Sequence, residues 1–186
     1  MNLYINCSPK IKNSNSEYFT QLIKSDNDII NYIYKDNFEL IKKNISIYKN
    51  IIFVFPLYMD TFPSKLIEFM ENFNNKLINK NIYIICNCGF LEYRQNFLAI
   101  DTFIYWINKK KGFFKGYLNI GSGEIIGITK KNKFLSLFCH DFFKKIKIFK
   151  CYINNEKNIN LNTNIKWLNK RLFCIICNYF WKKRIK

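Results

Sequence analysis

Asn50-Ile51-Ile52-Phe53-Val54-Phe55-Pro56-Leu57-Tyr58-Met59-Asp60-Thr61-Phe62-Pro63-Ser64-Lys65 is the stretch on which the reading of the fold turns. The apolar run from Asn50 to Phe55 is too short for a helix and is rich in β-branched and aromatic side chains, so it reads as a strand. Two prolines then make the following turn rigid. Pro63 can stand in the first turn of a helix, where no N–H is needed, and Leu66, Ile67, Phe69, Met70 and Phe73 recur beyond it at helical spacing.

The same strand, turn and helix unit repeats outward in both directions. Strands are predicted over Asn2 to Cys7, Asp28 to Tyr34, Asn81 to Asn87 and Gly116 to Gly121. Between them, Ser14 or Ser16 caps a helix running to about Ser25, and Asn37 caps one over Phe38 to Ile47. Residues 91–111 and 130–147 read as two further helices. Ile165, Leu168, Leu172, Ile175, Ile176 and Tyr179 keep a helical period, predicting a basic amphipathic helix over 160–183. Strands alternating with helices mean βαβ units with right-handed crossovers. The expected fold is a single α/β domain over 1–186: an open, doubly wound, five-stranded parallel sheet of order 2-1-3-4-5 with helices on both faces. In such sheets ligands lie outside the carboxyl ends of the strands, at the switch point between strands 1 and 3.

Composition narrows the class. The chain has 186 residues, 49% of them apolar, with only 6 Gly and 3 Pro. That supplies a sizeable core and excludes collagen-like and wholly disordered chains. No apolar run approaches the roughly 20 residues needed to cross a bilayer, so no transmembrane segment is expected. Seven cysteines, an odd number, and a start that leads straight into a strand fit a reducing cytoplasm. The formal charge of +17 raises the question of a nucleic-acid partner. The lysines lie in nearly every segment, which favours a solvated basic surface instead. The tail through Trp181, Lys182, Lys183 and Arg184 can lie on a membrane surface, but such a helix more often packs on the sheet or on a second subunit.

The loop Cys7-Ser8-Pro9-Lys10-Ile11-Lys12-Asn13-Ser14-Asn15-Ser16 combines hydroxyls, amides and two lysines ahead of a helix N-terminus. That composition suits a phosphate cradle, and equally a plain capped turn; it is neither a Walker motif nor GxGxxG. The turn from Pro56 through Leu57, Tyr58, Met59 and Asp60 can present N–H groups to the edge of a planar heterocycle with Tyr58 or Leu57 beside it. After strand 4, Asn87-Cys88-Gly89-Phe90-Leu91-Glu92 adds a glycine for close approach and a second aromatic. Cys86, Cys88, Cys174 and Cys177 read as packed small hydrophobes. With His140 the only histidine, neither a zinc site nor a Cys88–His140 nucleophile pair finds its remaining partners.

Ser8-Pro9-Lys10 with its polar run, the block Phe53 to Asp60 with Phe62-Pro63-Ser64-Lys65, Asn87-Cys88-Gly89-Phe90 with Glu92 and Gln95-Asn96, and Ile120-Gly121-Ser122-Gly123-Glu124 together resemble the flavodoxin-like NAD(P)H-dependent FMN reductase family. The chain differs from that family in having Asn6-Cys7 for the usual Gly-Ser and no glycine in Asn13 to Ser16. The resemblance implies bound FMN, with the phosphate in the loop of Ser8, Lys10, Asn13, Ser14, Asn15 and Ser16. It places the isoalloxazine on Pro56 to Asp60 and on Asn87, Cys88, Gly89 and Phe90, near Glu92. It further implies a homodimer, NADH or NADPH as hydride donor, and a small-molecule or protein electron acceptor. The alternatives are a flavodoxin-type electron carrier and a flavin-free basic protein.

Overall fold

In the computed structural model, which describes residues 1–130 and 133–185 without the side chains of 133–135, 176, 180, 181 and 183–185, six strands form one parallel sheet. Chain order is β1 (Asn2–Asn6), α1 (Asn15–Ile23), β2 (Ile29–Tyr32), α2 (Phe38–Ile47), β3 (Asn50–Pro56), α3 (Ser64–Asn72), β4 (Asn81–Asn87), α4 (Phe97–Lys109), β5 (Phe113–Ile120), α5 (Gly123–Ile128), α6 (His140–Asn154), β6 (Ile159–Thr163) and α7 (Lys170–Ile185). Short 3-10 turns at Tyr93–Asn96 and Lys133–Cys139 precede α4 and α6. Strand order is β2-β1-β3-β4-β5-β6.

The expected architecture holds, with one strand more than the five predicted. β6 pairs in parallel with β5, from Gly116 opposite Ile159 to Ile120 opposite Thr163. Residues 160–163 are therefore strand, and the last helix begins at Lys170 rather than near 160. Ile165 and Leu168 are buried, but in the turn between β6 and α7. The segment predicted as helix over 130–147 likewise divides: a 3-10 turn occupies Lys133–Cys139, and α6 runs from His140 on to Asn154, while residues 131 and 132 lie outside the described residues. The close pairing of β6 depends on Gly116, at φ 149°, where a Cβ would fall 1.8 Å from the Ile159 carbonyl oxygen.

Because side chains alternate along a strand, the central strands feed two cores. Leu3, Ile5, Ile51, Phe53, Phe55, Ile82 and Ile84 face one side with Phe69, Phe73, Phe103 and Trp106 of the α3 and α4 layer. Tyr4, Ile52, Val54, Tyr83, Ile85, Leu118 and Ile120 face the other, against Phe19 of α1 and Phe142 and Phe149 of α6. Phe53 is the hub of the first core, with ring centroids 4.9 Å from Phe103 and 6.1 Å from Trp106; truncating such a side chain to Ala costs roughly 3–5 kcal/mol.

At the amino ends of the strands a buried asparagine ladder ties three of them together. Asn81 Nδ2 donates to Asn50 Oδ1 (2.9 Å) and Asn50 Nδ2 to Asn2 Oδ1 (3.1 Å), while the Asn2 backbone N–H and side-chain amide both reach Asp28. The carboxyl ends are left for loops.

Candidate functional site at the strand carboxyl ends

The β1–α1 loop follows β1 through Cys7, whose N–H donates to the Val54 carbonyl at 2.8 Å and whose thiol burial pushes well up in pKa. Ser14 caps α1, its Oγ accepting from Glu17 N at 3.0 Å. Asn13 sits at φ 61°, a left-handed conformation that Asn tolerates, so the turn forms without glycine. Ser8, Ser14 and Ser16 are all buried. Ser16 Oγ accepts from Asn87 Nδ2 at 3.2 Å, and the same amide donates to the Phe55 carbonyl at 3.1 Å. The Ser14 and Ser16 hydroxyl oxygens thus accept inside the fold, and the exposed residues of the loop are Pro9, Lys10, Lys12 and Asn13.

A cation that the sequence reading missed joins them. Lys130, after α5, donates from Nζ to Asn13 Oδ1 at 3.2 Å, across 117 positions of chain. Asn15 packs against α5, where a Cβ on Gly127 would lie 2.1 Å from its Oδ1. Glu17, in the first turn of α1, takes a hydrogen bond from Asn6 Nδ2 at 3.0 Å, and Asn6 Oδ1 in turn accepts from Ser8 N.

The β3–α3 turn is a tight hairpin. Tyr58 and Thr61 exchange both backbone hydrogen bonds at 2.9 Å, and Met59 and Asp60 between them take positive φ values of 46° and 59°, the pattern of a two-residue type I′ turn. Leu57 N donates to the Asn87 carbonyl at 2.7 Å, which fixes the turn to β4. Pro63 is the residue before α3 rather than its first helical residue. Met59 is 97% exposed, Tyr58 47% and Phe90 54%, so the turn and the β4–α4 loop form an apolar rim around the crevice.

The β4–α4 loop is held from below. Cys88 N donates to Ile120 O (3.0 Å), Ser122 N to Phe90 O (2.5 Å) and Gly123 N to Cys88 O (2.8 Å). Cys88 itself is buried, with its thiol directed at the Glu92 carbonyl at 3.5 Å; burial lifts its pKa to about 11 against the hydrogen bonds of Phe90 and Asn96. It is a neutral packed thiol, as the sequence suggested, and so is Cys86. Cys174 is not packed: it is exposed on α7, and Cys177 is half-buried. Gly89 and Glu92 face outward. A Cβ on Gly89 would meet only Glu124 Cγ at 3.5 Å, leaving room above this backbone.

Beside the hairpin lies a cavity of about 320 Å³ lined by Pro9, Tyr34, Tyr58, Phe62, Pro63 and Ser64, at the small end of the usual range for ligand sites. Tyr34 and Ser64 share a hydroxyl–hydroxyl hydrogen bond of 3.2 Å, and Lys65 N donates to the Tyr34 hydroxyl at 3.3 Å. Burial, Glu124 and Tyr34 raise the pKa of Tyr58, so its phenol stays protonated. The structure thus sets Pro56 to Asp60, Asn87 to Phe90 and the Ser8 to Ser16 loop at neighbouring strand ends, but of these residues Tyr58 and Pro9 alone line the cavity. Tyr34, Phe62 and Ser64 line it unforeseen, while Lys130 joins the β1–α1 loop at Asn13. Among the described residues there is no metal-binding cluster of His, Cys, Asp and Glu, and no helix long and apolar enough to cross a membrane.

Neither a protein-family model nor a curated protein matches the chain in sequence. Solved structures match in fold. An NADPH-quinone reductase from P. pentosaceus superposes with a TM-score of 0.61 at 18% identity, over 86% of this chain and 99% of that one. General stress protein 14 from Treponema denticola, in complex with FMN, gives 0.62 at 12% identity over 82% and 98%. An FMN-dependent NADH-azoreductase from Bacillus anthracis, also with FMN, gives 0.55 at 13% over 82% and 98%. With its 2-1-3-4-5 core order and its crevice at the β1/β3 switch point, the chain has a flavodoxin-like α/β fold, similar to that of these solved structures.

Proposed function

We propose that the chain is an FMN-binding oxidoreductase that takes electrons from NADH or NADPH and delivers them to a small-molecule or protein acceptor. The observation that carries this reading is the exposed apolar rim of Tyr58, Met59 and Phe90 around the open backbone of Gly89, beside a helix N-terminus flanked by Lys10, Lys12 and Lys130. FMN, when bound, supplies the hydride and electron chemistry, so no acid–base triad is called for.

The chain's own residues bind and position. The first N–H groups of α1 have no intrahelical partner, and together with Lys10, Lys12 and Lys130 they favour a phosphate dianion. Ser14 and Ser16 accept hydrogen bonds that shape that turn, so backbone N–H groups and lysines are the main holders of the phosphate. Gly89 lets a planar ring approach the β4–α4 backbone, while Tyr58 packs beside it as a neutral phenol. Cys88, buried and protonated, takes no part in the chemistry. The exposed rim is also where a second copy would complete the site, so a homodimer belongs to the same proposal.

Two measurements test it. The purified chain titrated with FMN and with riboflavin should bind FMN more tightly. The loaded protein, mixed anaerobically with NADH or NADPH, should lose its flavin absorption in a saturable phase, since a reductase must let nicotinamide approach to about 3–3.5 Å. Reduction no faster than that of free FMN would leave an electron carrier; absence of flavin binding would remove both readings.

A further inference from the structure

The lysines run throughout the chain, but the carboxylates do not. Eleven of the thirteen Asp and Glu precede residue 125, where fifteen Lys and Arg accompany them; residues 125–186 hold the other fifteen Lys and Arg against Asp141 and Glu156 alone. The last third thus carries +13 of the +17, and no acidic residue follows Glu156. Its two carboxylates are already paired, Asp141 with Lys145 at 2.7 Å and Glu156 with Lys49 at 2.5 Å.

The same region exposes large apolar side chains. Leu137 is 70% exposed, Trp167 53%, Leu172 40% and Ile175 65%. Trp167 packs on Phe138 with centroids 5.4 Å apart and donates from Nε1 to the Phe138 carbonyl at 2.8 Å, which joins the Lys133–Cys139 turn to the entrance of α7. Asn169 Oδ1 accepts from Leu172 N at 2.9 Å and starts the helix. Within α7, Phe173 packs against the core, whereas Leu172 and Ile175, three positions apart, face outward among exposed Lys170, Arg171 and Lys182.

We propose that α7 and the adjoining Lys133–Cys139 turn form a docking surface for an anionic lipid bilayer. Outward aliphatic and aromatic side chains interleaved with cations, with no carboxylate on either element and Glu124 of α5 acting on Cys177, match an interface in which apolar groups enter the acyl boundary and lysines meet headgroup phosphates. A tryptophan at the edge of the patch suits the headgroup level. Two copies of so positive a face repel each other, and Leu137, Leu172 and Ile175 gain nothing from a nucleic-acid backbone, so lipid is the partner that uses both halves of the surface.

The test is co-sedimentation of the full chain with vesicles of phosphatidylcholine, alone or with one-third phosphatidylglycerol. Binding should appear with phosphatidylglycerol, be at least about tenfold weaker without it, and fall as salt is raised. The double variants Lys170→Ser/Arg171→Ser and Leu172→Ser/Ile175→Ser should each lower partitioning by about tenfold or more with unchanged circular dichroism, since all four residues are exposed. Absence of binding to the anionic vesicles would overturn the proposal. So would a dimer in light scattering that Leu172→Ser/Ile175→Ser dissociates. Binding to an unstructured RNA as tight as to vesicles and indifferent to Leu172→Ser/Ile175→Ser would overturn it equally.

Discussion

Gly89 lies on the β4–α4 loop and Gly123 opens α5 against that loop, yet replacing them by Val should have opposite consequences. At Gly89 a Cβ meets only Glu124 Cγ, at 3.5 Å, an ordinary van der Waals distance, and its φ is not positive. Gly89→Val should therefore shift the unfolding free energy by no more than about 0.5 kcal/mol, as for other surface substitutions. At Gly123 a Cβ falls 2.9 Å from the Cys88 carbonyl oxygen and 3.3 Å from Asn87 Oδ1, and the Gly123 N–H donates to that carbonyl at 2.8 Å. Gly123→Val must push the start of α5 away from the β4–α4 loop, at a cost of about 1–3 kcal/mol. If a flavin ring lies over the β4–α4 backbone, the Gly89 variant, though stable, should bind FMN at least about tenfold more weakly, equivalent to about 1.4 kcal/mol. Urea unfolding of both variants and flavin-quenching titration of Gly89→Val supply the two numbers. A folded Gly89→Val protein with wild-type affinity would refute the placement of the ring; an unfolded one would show that Gly89 is there for packing.

Three further outcomes follow from named contacts. Lys10→Ala/Lys12→Ala should weaken FMN binding and leave riboflavin binding unchanged, as measured by paired titrations, because only the phosphate meets those cations. Asn50→Ala removes the centre of the buried ladder and deprives both Asn2 Oδ1 and Asn81 Nδ2 of a partner, so stability should fall by about 2–3 kcal/mol in urea while FMN affinity, set at the other end of the strands, stays the same. Burial raises the Cys88 thiol from an unperturbed value of 9.0 to about 11. The unfolded chain therefore loses this proton first as pH rises: the stabilisation is complete below pH 9.0 and is lost toward pH 11. That amounts to on the order of 1 kcal/mol by about pH 10, and Cys7 and Cys86 act with the same sign. A midpoint denaturant concentration equal at about pH 7.5 and about pH 10 would contradict it.

The strands most plainly legible in the sequence are those buried on both faces, although the edge strand β2 is legible as well. β3 is apolar without interruption from Ile51 to Pro56 and β4 between its end asparagines, and both are covered on each side, so burial alone marks them. β6 was hidden because Ile159, Asn160, Leu161, Asn162 and Thr163 alternate on an edge, while Ile165, Leu168 and Leu172 next to it happen to continue a helical spacing. The two periods overlap there. Which of them wins depends on Gly116, forty-three positions earlier, whose missing side chain admits the Ile159 backbone.

The site was legible for a related reason and to a lesser depth. The fold puts the carboxyl ends of β1, β3 and β4 side by side, so any correct strand assignment brings Ser8 to Ser16, Pro56 to Asp60 and Asn87 to Phe90 together. Side-chain direction does not follow from that. A serine-rich loop has the same composition whether its hydroxyls meet a ligand or satisfy the protein, and here Ser14 and Ser16 are spent on Glu17 N and Asn87 Nδ2. Conversely, Lys130 and the Tyr34–Ser64 pair come from elements 117 and 30 positions away from their partners, and no local pattern announces them. The buried serines and the outward lysines together imply that charge and backbone N–H groups carry most of the anion recognition at this crevice. The phosphate should then be held with a pronounced salt dependence, because exposed lysines are screened over about 10 Å at moderate ionic strength whereas buried hydrogen bonds are not.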